Sequence, residues 1–379
     1  MKVLYIGHYK EFGGWSQAAT DYILALDKIG VDVVCRNVTL TQDRSDVEPR
    51  LLELELKDTS DCDVCIQHVL PHHLIGTTNF RKNIAFLASE STSIQHLTWL
   101  DHLKQMDEIW VPNSQSKEFL EKDGVGIPVS VVPHTTNINK YKKQFREINI
   151  EQARDKFKFY YIGDFNDRKN LESVITCFHS EFDKTDSAVL VLKLNKFGKS
   201  PQEITQTMDG LITEIKTKLR IHENPQSYLK DIIISEKISN DDILALHNYC
   251  DCFICPSHGE AWSIPSFDAM AFGNTPICSN FGGPKEFINK ADWRTGHLIN
   301  GVYSCCKCSD AAFPDLFTAK EYWFQPCEMQ IKESMRKAYE SWKKNPIMYT
   351  NRNRSAGLKQ AEKFSYDTIG KLMKELISE

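Results

Sequence analysis

Apolar, β-branched runs recur along this chain with helix-compatible segments between several of them, and the series stops once and starts again. "VLYIG", "VDVVCRNV", "CDVCIQH", "NIAFLA", "DEIWVPN" and "VSVVPH" come first, and a polar, charged stretch follows from Asn137 to Ile150 ("NINKYKKQFREINI"). The pattern then resumes with "KFYYIG", "AVLVLKL", "DIIIS", "CFICP" and "TPICS". Such alternation predicts parallel sheets covered by helices on both faces. At 379 residues the chain exceeds what one hydrophobic core usually serves, so two similar α/β domains joined by the polar linker are expected. Two doubly wound, Rossmann-like domains facing each other make a cleft, and ligands in such sheets bind beyond the carboxyl ends of the strands.

The first helix is legible in detail. After "GGWS", Ala19, Tyr22, Ile23 and Leu26 keep the i, i+3, i+4, i+7 spacing, and Gly30 is a stop. The last segment, "FSYDTIGKLMKELISE", places Phe364, Ile369, Leu372, Met373 and Leu376 on one stripe, which periodicity alone reads as a closing helix of the second domain. The opening "MKVLYIGHYK" predicts a strand rather than a signal peptide. No run of about 20 apolar residues occurs, so no spanning helix is expected. A formal net charge of -5 gives no general pull toward nucleic acid or anionic membranes. The expectation is a cytoplasmic protein.

Twelve cysteines raise the question of zinc or disulfides. Cys62 and Cys65, like Cys252 and Cys255, stand three apart in strand-like runs, where an odd separation points side chains to opposite faces. Buried reduced thiols are expected there. Cys305, Cys306 and Cys308, with Cys327 following, form a denser cluster whose role the sequence leaves open, and no metal site is assigned.

Three motifs sit where strands end. "GHYKEFGGWSQ" offers Gly13 and Gly14 for close backbone approach and the start of a helix for an anion. "IGDFNDRKNLESV" places Arg168 and Lys169 before a helix, where cations oppose the dipole unless an anion lies between. "SHGEAWSIPSFDAMAFGNTPICSN" puts Glu260 in a turn after an apolar strand and Asp268 inside the next helix. Between them, Ala261 to Ile264, including Trp262, Ser263 and Ile264, would present N–H groups to a phosphate at the helix N-terminus. A carboxylate on either side could then bind hydroxyls of two different sugars.

In this order the motifs resemble retaining glycosyltransferases of the GT-B fold, in the group related to bacterial glycogen synthases, sucrose synthases and mannosyltransferases. The resemblance covers nearly the whole chain, and its signature, Glu, seven residues and a second Glu, stands here as "EAWSIPSFDAMAFG", with Asp268 one methylene shorter. It implies a domain at 1–145 for the acceptor, joined by a final helix at 365–379 that crosses back to it. A second domain at 146–364 would hold a nucleotide-sugar donor, most commonly a UDP-sugar. Glu260 would bind the donor sugar, Asp268 the ribose, and Lys169 with Arg168 the diphosphate, without a metal. The base would be held by backbone near Lys237 and Ile238. Where relatives carry Arg after the strand-end glycine, this chain has Asp164, and Arg168 is expected to compensate. Relatives commonly place a His beside the anomeric carbon, and the matching "FLASESTSIQ" offers Glu90 as the second catalytic candidate. His134 in "VVPHTT" is expected to be structural. The acceptor expected is a glycan or small glycoside. Two alternatives stay open: transfer to modified DNA bases, for which Lys140, Lys142, Lys143, Arg146, Lys343, Lys344, Arg352 and Arg354 are the basic stretches, and a non-catalytic, sugar-nucleotide-binding scaffold. Oligomeric state is not readable.

Overall fold

The computed structural model describes residues 1–40, 44–307, 317 and 319–379. It divides into two compact units: Met1–Ile138 with Ala261–Ser263 and Glu362–Glu379, and Asn139–Glu260 with Ile264–Ala361.

The first unit runs β1 (Lys2–Gly7), α1 (Gly14–Lys28), β2 (Asp32–Asn37), α2 (Pro49–Glu55), β3 (Val64–His68), β4 (Lys82–Phe86), α3 (Trp99–Leu103), β5 (Glu108–Val111), α4 (Ser114–Lys122) and β6 (Val129–Val131). The strands form one parallel sheet in the order β2-β1-β3-β4-β5-β6. Its inner strands β1, β3, β4 and β5 are apolar and buried almost throughout, which is why helices must cover both faces.

The second unit runs β7 (Phe157–Asp164), α5 (Leu171–Glu181), β8 (Ala188–Asn195), α6 (Pro201–Leu219), β9 (Asp231–Ile234), α7 (Asn240–Tyr249), β10 (Cys252–Cys255), α8 (Ile264–Phe272), β11 (Ile277–Ser279), α9 (Pro284–Phe287) and β12 (His297–Ile299). Then come the hairpin β13 (Gly301–Cys305) and β14 (Tyr322–Pro326), followed by α10 (Glu328–Lys344) and α11 (Pro346–Ala361). Its parallel sheet has the order β12-β11-β10-β7-β8-β9, while β13 and β14 pair antiparallel. One core face is built from Phe157, Phe159 and Tyr161 of β7 with Leu190 and Leu192 of β8, against Val174 and Phe178 of α5 and Met335 of α10. The strand order reverses between β7 and β10, and a crevice beyond the carboxyl ends of such a pair is where open α/β sheets bind ligands.

The chain ends in α12 (Tyr366–Ser378), which belongs to the first unit. Gly370 lies so close to α1 that a Cβ there would stand 2.7 Å from the Ala25 carbonyl oxygen. Asp21 accepts hydrogen bonds from the Tyr366 hydroxyl and from Gln17. Arg81 and Lys82 donate to the Ile377 and Leu376 carbonyls at 2.7 and 2.8 Å, placing cations at the negative helix end. Periodicity alone assigns this helix and its apolar stripe to the second domain; it packs instead on α1 within the first unit. Leu372 and Leu376 on that stripe are only half-buried, whereas Ile377 is fully covered.

Cys62 corrects the strand-parity expectation. It precedes β3, so alternation does not apply, and it joins Cys65, Leu4 and Val34 in one small cluster. The described cysteines are free thiols. Burial pushes the Cys65 thiol up to about 12, far from the thiolate that a metal needs. Among the described residues no group of three His, Cys, Asp or Glu side chains could hold a metal ion, and Cys308 lies outside them. No described helix is long and apolar enough to cross a membrane.

Candidate functional site

Two loops meet at the β7/β10 switch point. After β7, Asn166 accepts the Lys169 N–H through its side chain and closes a 3-10 turn at Asp167–Lys169. Asn170 then takes a left-handed conformation (φ 53) that launches α5. After β10 comes the segment 256–260. Three hydrogen bonds stitch the loops together: Asn170 Nδ2 to the Pro256 carbonyl at 3.0 Å, His258 N–H to the Arg168 carbonyl at 2.7 Å, and Arg168 Nη1 to the Gly259 carbonyl at 2.6 Å.

Glu260 is the focus of this junction. It is buried, and its Oε1 receives Lys169 Nζ at 2.6 Å and Ser257 Oγ at 2.7 Å, with Arg168 Nη1 at 3.5 Å. The Cys255 thiol lies at 4.0 Å from the same oxygen. Burial pushes the carboxyl up, but the charges of Lys169 and Arg168 outweigh it, and the hydrogen bonds from Lys169 and Ser257 add to them. Glu260 therefore sits below the usual carboxylate range and is ionised at neutral pH. Its backbone is held as firmly: Gly283 N–H donates to the Glu260 carbonyl at 3.1 Å. Gly282, at φ +65, passes so close that a Cβ would lie 1.9 Å from that oxygen.

Asp268, on α8, is buried in a separate polar cluster. Its Oδ1 accepts the Tyr141 hydroxyl at 2.6 Å and faces Lys140 Nζ at 2.9 Å. Burial raises its pKa, and the Lys140 charge with the Tyr141 hydrogen bond brings it below the ordinary value. One carboxylate oxygen is thus committed to residues of the linker, which the sequence pattern did not reveal.

The residues between the two acids divide. Ile264 opens α8, whereas Ala261–Ser263 pack as part of the first unit. There Asn113 Nδ2 donates to the Ala261 carbonyl at 2.7 Å, and the Trp262 ring lies 6.0 Å from His134 and 5.3 Å from Phe364. Ser263 holds φ 69, an unfavourable conformation for a residue with a Cβ. His134 is buried, with its Nε2 3.4 Å from Asp21 Oδ2.

Gly13, at φ 111, caps the N-terminus of α1, and Gly14 is its first residue. A Cβ at Gly13 would meet nothing within 4 Å, so the backbone angle and not crowding calls for glycine. Glu90 lies half-buried in the loop after β4. Ile238 follows β9 and lines a cavity of about 240 Å³ with Ile148, Ile150, Ile234 and Leu246. Several of the basic residues have acidic or polar partners within the second unit: besides the Lys140 contact, Lys143 faces Asp241 at 3.5 Å and Arg146 pairs with Asp242 on the surface, and Arg354 bonds Asn248 and the Tyr141 carbonyl, while Lys142, Lys343, Lys344 and Arg352 are exposed.

Residues 142–302 match the family model of glycosyl transferases group 1. A serotype-specific mannosyltransferase, WbdA, of Escherichia coli is 24% identical over 152 residues, which is 38% of this chain and 17% of that protein. The chain thus spans about a sixth of the length of that curated relative. Over the whole chain, the structure of Anabaena HepE in complex with UDP-glucose superposes with a TM-score of 0.66 at 13% identity, covering 99% of HepE. Sucrose-phosphate synthase from Thermosynechococcus elongatus does so with a TM-score of 0.64 at 16% identity, covering 100% of this chain and 98% of that one. The chain therefore has the two Rossmann-like α/β domains of the GT-B fold, and its segment 142–302, which holds Arg168, Lys169, Glu260 and Asp268, matches the glycosyl transferases group 1.

Proposed function

We propose that the protein is a retaining glycosyltransferase that moves a hexose from a nucleoside diphosphate sugar, a UDP-sugar in the first instance, to a hydroxyl of a glycan or small glycoside. The observation that carries this is the ionised Glu260 braced by Lys169, Arg168 and Ser257 at a switch point inside the group 1 segment. An ionised carboxylate accepts hydrogen bonds from sugar hydroxyls and does not protonate a leaving group. The leaving nucleoside diphosphate needs no proton: it needs positive charge where its own negative charge develops. Lys169 keeps two N–H donors beyond the one aimed at Glu260, and it and Arg168 lie within 4 Å of the same carboxylate oxygen. Preorganised donors of this kind are usually the largest part of catalysis. The proposal includes transfer without a bound metal, because these two cations supply that charge.

Retention then follows attack on the face the diphosphate leaves, through a short-lived ion pair. Asp268 is assigned to the ribose, and Ile264 with Trp262 and Ser263 to the donor. For the first unit the proposal assigns Gly13 and Gly14 to ligand binding and Glu90 to the acceptor side. The free, largely buried thiols fit a reducing cytoplasm. That HepE was solved with UDP-glucose supports the donor class.

The test is a thermal-shift panel of UDP, GDP, ADP and their glucose, mannose and N-acetylglucosamine conjugates, since a ligand that binds the native state raises apparent stability. A selective shift that disappears in Lys169→Ala is expected. A shift of undiminished size in that variant would overturn the assignment.

A further inference from the structure

The hairpin β13–β14 lies outside both six-stranded sheets, and its second strand is joined to the Glu260 loop at His258. Phe324 N–H donates to the His258 carbonyl at 2.9 Å, and His258 Nδ1 lies 2.9 Å from the Phe324 carbonyl oxygen. A carbonyl only accepts, so that ring nitrogen carries the proton. The imidazole also stacks on Trp323, with centroids 5.4 Å apart and planes at 11°. Burial holds its pKa below the usual histidine value despite the bond to Phe324, which keeps the ring neutral and that tautomer in place.

On its other side His258 meets the proposed donor machinery. Its N–H donates to the Arg168 carbonyl at 2.7 Å, and Arg168 returns a bond to the next carbonyl, Gly259, at 2.6 Å. The hairpin braces the far side of Glu260 as well. Phe324 stacks on Phe281 at 5.8 Å and 26°, directly before Gly282, the glycine that closes on the Glu260 carbonyl.

We propose that His258 is a positioning residue: bonded to Phe324 and stacked on Trp323, it fixes the 256–260 loop, and the backbone of that loop holds Arg168 in line with Glu260. The proposal rests on the donor-site assignment above. Arg168 is the cation bonded directly to this loop's backbone, so most of the effect of His258 on nucleotide affinity should disappear when the guanidinium is gone.

A double-mutant cycle tests this, with UDP, GDP and ADP titrated calorimetrically into the full chain. Arg168→Ala should weaken binding of the preferred nucleotide about tenfold or more, the size of one charge-assisted hydrogen bond, and His258→Ala about tenfold. The double variant should bind within about twofold of Arg168→Ala alone, whereas independent effects would multiply. His258→Asn, which can present an N–H donor where Nδ1 stands, should restore most of the affinity. Trp323→Leu removes the stack but keeps the imidazole, so it tests the same support should His258→Ala not fold; it should weaken binding in the same direction. Full multiplication of the two effects, or affinity unchanged in both His258→Ala and Trp323→Leu, would overturn the positioning role while leaving Arg168 in the site. Nucleotide binding unaffected by Arg168→Ala would overturn the donor-site assignment and the positioning role with it.

Discussion

Replacing Lys169 by methionine keeps the length of the side chain and removes its charge, so its consequences can be worked from the site. Glu260 would lose its 2.6 Å partner and keep Ser257 at 2.7 Å, with Arg168 at 3.5 Å. Breaking a buried pair outright costs about 3–5 kcal/mol. The remaining donors reduce that, and about 2 kcal/mol of lost stability at pH 8 is expected, near the middle of the range for a buried group deprived of one partner. The sign with pH follows from the cause of the shift. In the wild type the folded pKa of Glu260 is depressed, so its stabilising contribution is present above the ordinary carboxylate pKa and is lost as pH falls through the folded value. In Lys169→Met burial regains weight and the folded pKa rises, so the ionised carboxylate destabilises the variant most at high pH and is relieved by protonation. Urea denaturation of both proteins should show a gap of about 2 kcal/mol at pH 8 that narrows toward pH 4. Turnover should fall by about 3 kcal/mol of transition-state stabilisation, roughly two orders of magnitude. A stability gap that is flat with pH, or that widens on acidification, would refute the idea that Lys169 is what keeps Glu260 ionised.

Other perturbations have equally definite outcomes. Gly282→Ala puts a Cβ against the Glu260 carbonyl at positive φ and should cost about 3 kcal/mol or more, together with activity, by thermal melting and donor turnover. Asp268→Asn weakens the contacts to Lys140 and Tyr141 and should lower stability by about 2 kcal/mol at neutral pH; because the folded pKa of Asp268 is depressed, the loss should fade as pH falls, measured by denaturation at pH 8 and pH 4. Gly370→Ala crowds the Ala25 carbonyl and should cost about 1–3 kcal/mol by overpacking the α1–α12 contact, seen as a lower melting temperature with nucleotide affinity unchanged.

The strands that the sequence announced most clearly have apolar runs buried on both faces, such as β7, β8 and β10, because a signal that needs no partner survives in one dimension. β13 and β14 escaped because Val302, Tyr303 and Tyr322 are exposed and their pairing is antiparallel across a long connection. Arg168 and Lys169 were legible because two cations before a helix contradict its dipole, and Glu260 because an acid follows a buried strand. Ser257, Cys255 and His258 were not: their contacts are with the Glu260 carboxylate or with β14, and nothing in "CPSHGE" marks them. The linker was equally opaque. Lys140 and Tyr141 read as part of a polar, basic stretch, yet both turn inward to Asp268, and Arg146 and Lys143 are taken up by α7. The counterions that define a charge's meaning are set by tertiary contacts, which is why basic runs said little about partners.

Release of nucleoside diphosphate from a panel of UDP-, GDP- and ADP-sugars, compared between wild type and Glu260→Gln, tests the central assignment most directly. The wild type should release nucleotide from one donor, slowly with water and faster with a hydroxyl acceptor, and Glu260→Gln should lose that release by about two orders of magnitude while keeping its fold. Equal release by the two proteins, or tight nucleotide binding by the wild type with no release from any sugar conjugate, would contradict it.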